Sequence, residues 1–271
     1  MTKTKKSSHF DLPSVTSLWH NTWEIFSHHF IKILALTAIP ILLFDAFYLL
    51  GATSTMFSLE SLRTPLELFS FSNGYVYFIT ILAIAMIFIY VVGVIALFLM
   101  VGNADEYGIW QALKKSIEFF WGFVLMSILI GFLQFLFLIL SYLLVTTISV
   151  LIGLVGSTYL NLFFDYVLVI PFIVGFLVSI YLIFSPYLLI IKRKSAFDSI
   201  KISFNLVKGH FWAIIIRLLT AYVTAGLFII ILGLIPTVGT TLAGLITLPF
   251  LVIFTYSLFK QVFDLKQIPN Q

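Results

Sequence analysis

The chain has 271 residues, of which 61% are hydrophobic and only 10% charged, with a net charge of +4. A soluble domain is about half apolar and about a quarter charged, so a compact water-soluble fold is excluded and the solvent for most of the chain is lipid. There is no cysteine, which excludes disulfides, thiolate nucleophiles and cysteine metal sites.

Residues 1–13 read as a basic, polar tail. The first long apolar run begins near Phe30, too far downstream for a short cleavable signal core, so a retained first span is expected. A span needs about 20 apolar residues. The first candidate is 30–51, FIKILALTAIPILLFDAFYLLG, and the second is 75–101. After the polar break GNADEYG, residues 119–191 carry one charge, Asp165, and are long enough for two spans or three. Two further spans are read at 211–233 and 246–263.

Charge decides the middle. With two spans in the long stretch, the total is six and both termini share one side. Of the 15 Lys and Arg residues, only Arg63 then lies opposite, while Lys32 and Arg217 sit in the first turns of spans starting from the basic side. The positive-inside rule predicts six spans, both termini cytoplasmic, in the cytoplasmic membrane. Residues 144–160 and 234–245 become outer connectors that lie in the interface or re-enter protein.

The stretch KSAFDSIKISFNLVKGHFW follows the basic run Lys192-Arg193-Lys194. Phe197, Ile200, Phe204, Val207 and Phe211 recur at steps of three and four, one face of a helix. Ser195 and Asp198 have capping-box spacing. Lys201, Asn205 and Lys208 lie off the stripe. The pattern predicts an interfacial helix at 194–210, with its apolar face in the headgroup boundary and its lysines toward anionic lipid.

The stripe recurs earlier as Trp110, Leu113, Ile117, Phe120 and Val124, and again as Thr16, Trp19, Trp23, Phe26 and Phe30. His20, Lys114 and Lys201 align, as do Thr22, Ser116 and Ser203. The expectation is an all-α bundle in one integral membrane domain, 14–271. It consists of three units, 14–104, 105–192 and 193–271, each an interfacial helix (14–29, 106–121, 194–210) followed by two spans. The alternative is that any cytoplasmic start of a span looks amphipathic and aromatic.

The segment FSPYLLIIKRKSAFDSIKISFNLVKGHFWAIIIRLL resembles the membrane domain fused to some bacterial glycerophosphoryl diester phosphodiesterases, and related stand-alone six-span proteins of unknown function. Pro186, Ser203, Phe204, Leu206, Val207, Lys208, Gly209, Phe211 and Trp212 carry the resemblance, with Ser199 where the family usually has Ala. LPFLVIFTYSLFKQV resembles the closing span, with Pro249 and Tyr256 in place. The resemblance covers about 85 residues well and implies the six-span architecture. It brings no catalytic residues, and the soluble barrel of the phosphodiesterases has no counterpart here, so that activity is not implied.

Charged groups inside spans are costly unless paired or wetted, which makes Asp45, Asp165 and Arg217 candidates for function. The two aspartates fall in the outer half, where they line a polar cavity, reach the interface, or bond a Ser, Thr or Tyr on a neighbouring span. Arg217 snorkels to the inner headgroups, contacts a lipid phosphate, or pairs with a carboxylate such as Glu118. Candidate headgroup contacts are Lys114, Lys115, Lys192, Arg193, Lys194, Lys201 and Lys208. His9, His20, His28, His29 and His210 read as interfacial side chains; adjacent His28 and His29 point about 100° apart on a helix and do not share a metal easily. Gly93, Gly131, Gly175 and Gly226 are expected at close helix contacts. No phosphate loop, zinc-protease helix or nucleophile elbow is present.

The expected function is a non-enzymatic module that organises lipid or partner proteins, with no cofactor or metal. Membrane lipid is the expected partner, with a protein partner or homo-oligomer also open and no nucleic acid. The alternative is a small transporter or lipid translocator using Asp45, Asp165 and Arg217. An intramembrane enzyme is the least supported reading, because no nucleophile–base pair has recognisable spacing.

Overall fold

The computed structural model describes residues 14–53, 74–103, 106–153, 169–235 and 238–267. All regular structure among them is helical. The elements are α1 (Val15–His28), α2 (Phe30–Thr53), α3 (Gly74–Gly102), α4 (Ile109–Gly153), α5 (Val169–Leu182), α6 (Ser185–Ile190), α7 (Ala196–Lys208), α8 (Phe211–Gly233) and α9 (Gly239–Gln267). Among the described residues, five stretches are long and apolar enough to cross a membrane, and six if α1 with the start of α2 counts as one bent span. The chain is therefore an all-helical membrane protein by length and composition of its helices.

The helix boundaries refine the expected ones. α1 is a separate helix bent 83° from the start of α2. The segment predicted as an interfacial helix at 106–121 is continuous with the following span: α4 runs 45 residues without a break, about 67 Å at 1.5 Å per residue. No proline interrupts it between Ile109 and Gly153. Of the predicted outer connector 144–160, residues through Gly153 continue α4, and the remainder lies outside the described residues. The second connector, 234–245, becomes helical from Gly239. A Cβ on Gly239 would overlap the Leu232 carbonyl oxygen, so only glycine fits where this turn brings the two backbones together.

The described residues form two compact units, one from residues 121–218 and from 258 onward, the other from 15–120 and 219–257. In the second unit α2 and α3 pack closely. Pro40, inside α2, faces Gly93 of α3, where an added Cβ would stand 3.3 Å from the Pro40 ring. The glycine leaves room for the proline, which lacks an N–H and thickens its helix on one side. Below that contact, Phe26, Ile33, Leu36, Ala96, Leu97, Met100 and Ile253 form a buried core. Trp19 of α1 packs on Phe250 and Phe254 of α9, with ring centroids 5.1 and 5.6 Å apart.

The other three glycines expected at close contacts need correction. Among the described residues, a Cβ at Gly131, Gly175 or Gly226 would meet nothing within 4 Å. Small residues are enriched at membrane helix contacts, but a glycine in an apolar run reads the same whether it faces a helix or lipid.

In the first unit, the span expected to run up to the basic run Lys192-Arg193-Lys194 is broken just before Pro186. α5 stops at Leu182, Ile183 and Phe184 form a turn, and α6 restarts with Pro186 in its first turn, the position proline tolerates best. α6 ends in a tight reversal. The N–H groups of Ile191 and Lys192 both donate to the Tyr187 carbonyl (2.9 and 3.3 Å), and that of Lys194 donates to Leu188 (3.1 Å). Arg193 takes a left-handed φ of 50° to make this turn. Thus the basic run is the reversal that sets α7 against the end of the span before it.

Candidate lipid-facing sites

α7 carries the first candidate site. Ser195 caps it: its hydroxyl accepts from the Asp198 N–H at 3.2 Å and donates to the Asp198 carboxylate at 2.7 Å. The buried face of α7 is Ala196, Ser199, Ser203, Leu206 and Val207. Phe197 and Phe204 of the predicted apolar stripe are exposed, one position round from the packed face. The helix thus presents both small residues and the aliphatic Leu206 and Val207 to protein, and turns the aromatic Phe197 and Phe204 outward.

Ser203 explains the small face. Its hydroxyl donates to the Tyr181 carbonyl at 2.8 Å and accepts from the Phe184 N–H at 3.2 Å. These are backbone groups that the α5–α6 break leaves unpaired, and a buried unpaired backbone group is costly. One fully buried side chain from α7 therefore seals the broken span. Beside it the Tyr181 ring stacks between Phe204 (4.7 Å) and Phe211 (4.9 Å). Phe184 and Tyr187 pack on Phe259.

A shallow cleft of about 310 Å³ opens here, lined by Leu133 of α4, Val178, Tyr181 and Leu182 of α5, and Lys201, Phe204 and Asn205 of α7 among others. Its walls are tied by Gln134, whose amide donates to the Ser179 hydroxyl at 2.7 Å. The predicted headgroup lysines Lys192, Lys194, Lys201 and Lys208, and Arg193, are all exposed in this unit. The Lys192 ammonium stands 4.5 Å over the Phe263 ring, a cation–π contact. Arg217 donates from Nη1 to the Ala213 carbonyl at 2.9 Å, turned back along α8 toward Phe211. In the other unit Lys114 is exposed, and Lys115 pairs with Glu118 at 3.7 Å.

The second candidate site surrounds Asp45. Its Oδ2 accepts from the Thr241 hydroxyl of α9 at 2.6 Å, across 196 residues of sequence. It lines an apolar cleft of about 530 Å³ with Pro40, Ile41 and Leu43 of α2, Ala83, Met86, Ile87 and Tyr90 of α3, and Leu248 of α9. Asp165, expected to share its depth, lies outside the described residues. The rings of His28 and His29 meet edge to face at 4.7 Å. Among the described residues, no group of three or more His, Asp or Glu is placed to hold a metal.

Three participants, Thr241, Tyr181 and Tyr90, have no role in the sequence pattern, and a fourth, Ser203, has only an indirect one. Thr241 sat in the predicted connector, and nothing in the sequence tied it to Asp45. Tyr181 and Tyr90 are two of twelve tyrosines, and nothing in the sequence singles them out. Ser203 stands out in the sequence as a residue aligning with Thr22 and Ser116 and as part of the motif that carries the resemblance, with nothing to say which groups it bonds.

The fold and these sites define a multi-span α-helical membrane protein in which a short helix, capped by Ser195, packs against the end of a span. No family model, curated protein or solved structure matches the chain.

Proposed function

We propose that the protein is a non-enzymatic module of the cytoplasmic membrane that organises anionic lipid at the inner headgroup layer. It has six spans, with both termini cytoplasmic. The observation that carries this reading is the division of labour on α7. Ser199 and Ser203 face protein, while Phe197, Phe204, Lys201 and Lys208 are exposed together. Exposed aromatics beside exposed lysines suit the boundary between acyl chains and phosphates.

The threefold repeat belongs to the same reading. Leu18, Ala112 and Ser199 occupy matching positions and are fully buried, as are Thr22, Ser116 and Ser203. One residue further on, Trp23, Ile117 and Phe204 are all exposed. The coincidence of burial at matching positions supports three copies of one helical unit, the second of which runs without a break into its span. The resemblance to the phosphodiesterase-associated membrane domain agrees with this reading, since its motif falls on the reversal, the seal and the lysines of α7.

The test is the composition of lipid retained by purified protein after reconstitution in a mixture of zwitterionic and anionic phospholipids. The wild type retains anionic lipid enriched over the bulk. Replacing Lys194, Lys201 and Lys208 together by Gln removes the enrichment. Retained lipid matching the bulk composition refutes the reading, and so does solute flux across liposomes carried by the purified protein alone.

A further inference from the structure

The cleft at Asp45 is not absorbed by that function. Asp45 lies about 22 Å along α2 from Phe30 and about 12 Å short of Thr53, at 1.5 Å per residue. A carboxylate at this depth needs a partner. Thr241 supplies one hydrogen bond to Oδ2; Oδ1 receives none among the described residues. The rest of the lining among the described residues is apolar apart from the hydroxyl of Tyr90. Ala83, Met86, Ile87 and Tyr90 are spaced three, four and seven residues along α3, so they form one continuous wall. Ile87 and Tyr90 are exposed, which leaves the cleft open along its side.

The chemistry selects the occupant. One carboxylate and one hydroxyl are too few oxygens for a hard metal ion, which takes six or so. A phosphate or carboxylate headgroup would be repelled by Asp45. A neutral lipid tail would fill the trough and leave the charge unmatched. An alkylammonium satisfies both parts, because its N–H groups donate to Asp45 and its chain lies in the apolar trough. The trough runs from Asp45 toward Pro40 and Tyr90, away from the nearer end of α2, so such a molecule would enter tail first from the adjacent leaflet.

We propose that this cleft binds an amphiphilic amine, with the ammonium on Asp45 and the hydrocarbon chain along Ala83, Met86, Ile87 and Tyr90. The site does not depend on the orientation or the lipid role proposed above; only the label of its leaflet does. None of the lysines of the headgroup test lines it.

The test uses radiolabelled dodecylamine and dodecanol, which share a chain and differ in charge. Binding is measured to protein in zwitterionic nanodiscs at neutral pH, with empty nanodiscs subtracted. A charge-assisted hydrogen bond corresponds to a preference of about ten-fold or more for the amine. Asp45→Asn brings the amine down to the alcohol, and Asp45→Glu keeps the preference. Ala83→Phe fills the trough and weakens both ligands by about ten-fold while leaving the carboxylate in place. The Lys194, Lys201 and Lys208 triple variant retains amine binding, so failure of the headgroup reading leaves this result intact. Equal affinity of the wild type for the two ligands overturns the proposal. So does an amine preference that survives Asp45→Asn, or amine binding that Ala83→Phe leaves untouched.

Discussion

Replacing Ser203 by Ala deletes one oxygen and two hydrogen bonds at the α5–α6 break. The Tyr181 carbonyl loses a donor at 2.8 Å and the Phe184 N–H loses an acceptor at 3.2 Å. Ser203 and Phe184 are both fully buried, so water does not replace the hydroxyl. Side-chain hydrogen bonds inside membrane proteins average about 0.6 kcal/mol, with the strongest near 1.7, so two of them set the loss at about 1–3 kcal/mol. The assay is reversible unfolding in mixed micelles by a denaturing detergent. Ser199→Ala is the control: Ser199 lies one turn earlier on the same face and is equally buried, and its hydroxyl has no partner among the described residues. Removing an unsatisfied buried hydroxyl is neutral or stabilising by about 1 kcal/mol. If Ser203→Ala costs no more than Ser199→Ala, the hydroxyl does not seal the break and the account of α7 fails.

Four further outcomes are expected. Gly93→Leu forces a side chain against the rigid Pro40 ring and destabilises by about 1–3 kcal/mol. Gly226→Ala, placed in open space in the middle of α8, stabilises by about 0.5–1 kcal/mol in the same unfolding assay. Thr241→Val removes the one hydroxyl donor on Asp45 and costs about 1.5–3 kcal/mol, the range for hydrogen bonds to charged groups; the loss largely disappears when Asp45→Asn is already present, as a double-mutant cycle reports. Arg193→Gly relieves the left-handed φ at the reversal and raises stability by about 1 kcal/mol, whereas Arg193→Val lowers it.

Much of this protein is written locally in its sequence. A chain that is 61% hydrophobic and 10% charged has to satisfy its backbone internally in lipid, which makes it helical. Helix length follows from the runs of apolar residues, and the cap at Ser195 follows from its spacing to Asp198. α1 and α7 were legible from their periodicity because an interfacial helix must separate apolar from polar side chains along itself. What periodicity could not give was which face meets protein. On α7 the aromatic Phe197 and Phe204 point outward while Ser199 and Ser203 are buried with Leu206 and Val207, an arrangement that hydrophobicity alone does not predict, since lipid solvates an apolar side chain as well as a core does.

The tertiary structure decided everything that depends on two distant segments meeting. The bend after α1 and the unbroken run of α4 look alike in sequence, since each is an amphipathic stretch leading into an apolar one. The break before Pro186 is tolerated because Ser203, on another helix, reaches its open backbone groups. Gly93 differs from Gly131, Gly175 and Gly226 only in having Pro40 opposite. Asp45 announced itself as a charge in an apolar run, a local anomaly that any reading finds. Its partner Thr241 and the trough beside it exist only because α2, α3 and α9 converge. Composition and periodicity are properties of one segment in its solvent, so the sequence alone determined the class of protein and its helices. Pairing is a property of several segments at once, so the seal at Ser203 and the cleft at Asp45 belonged to the fold.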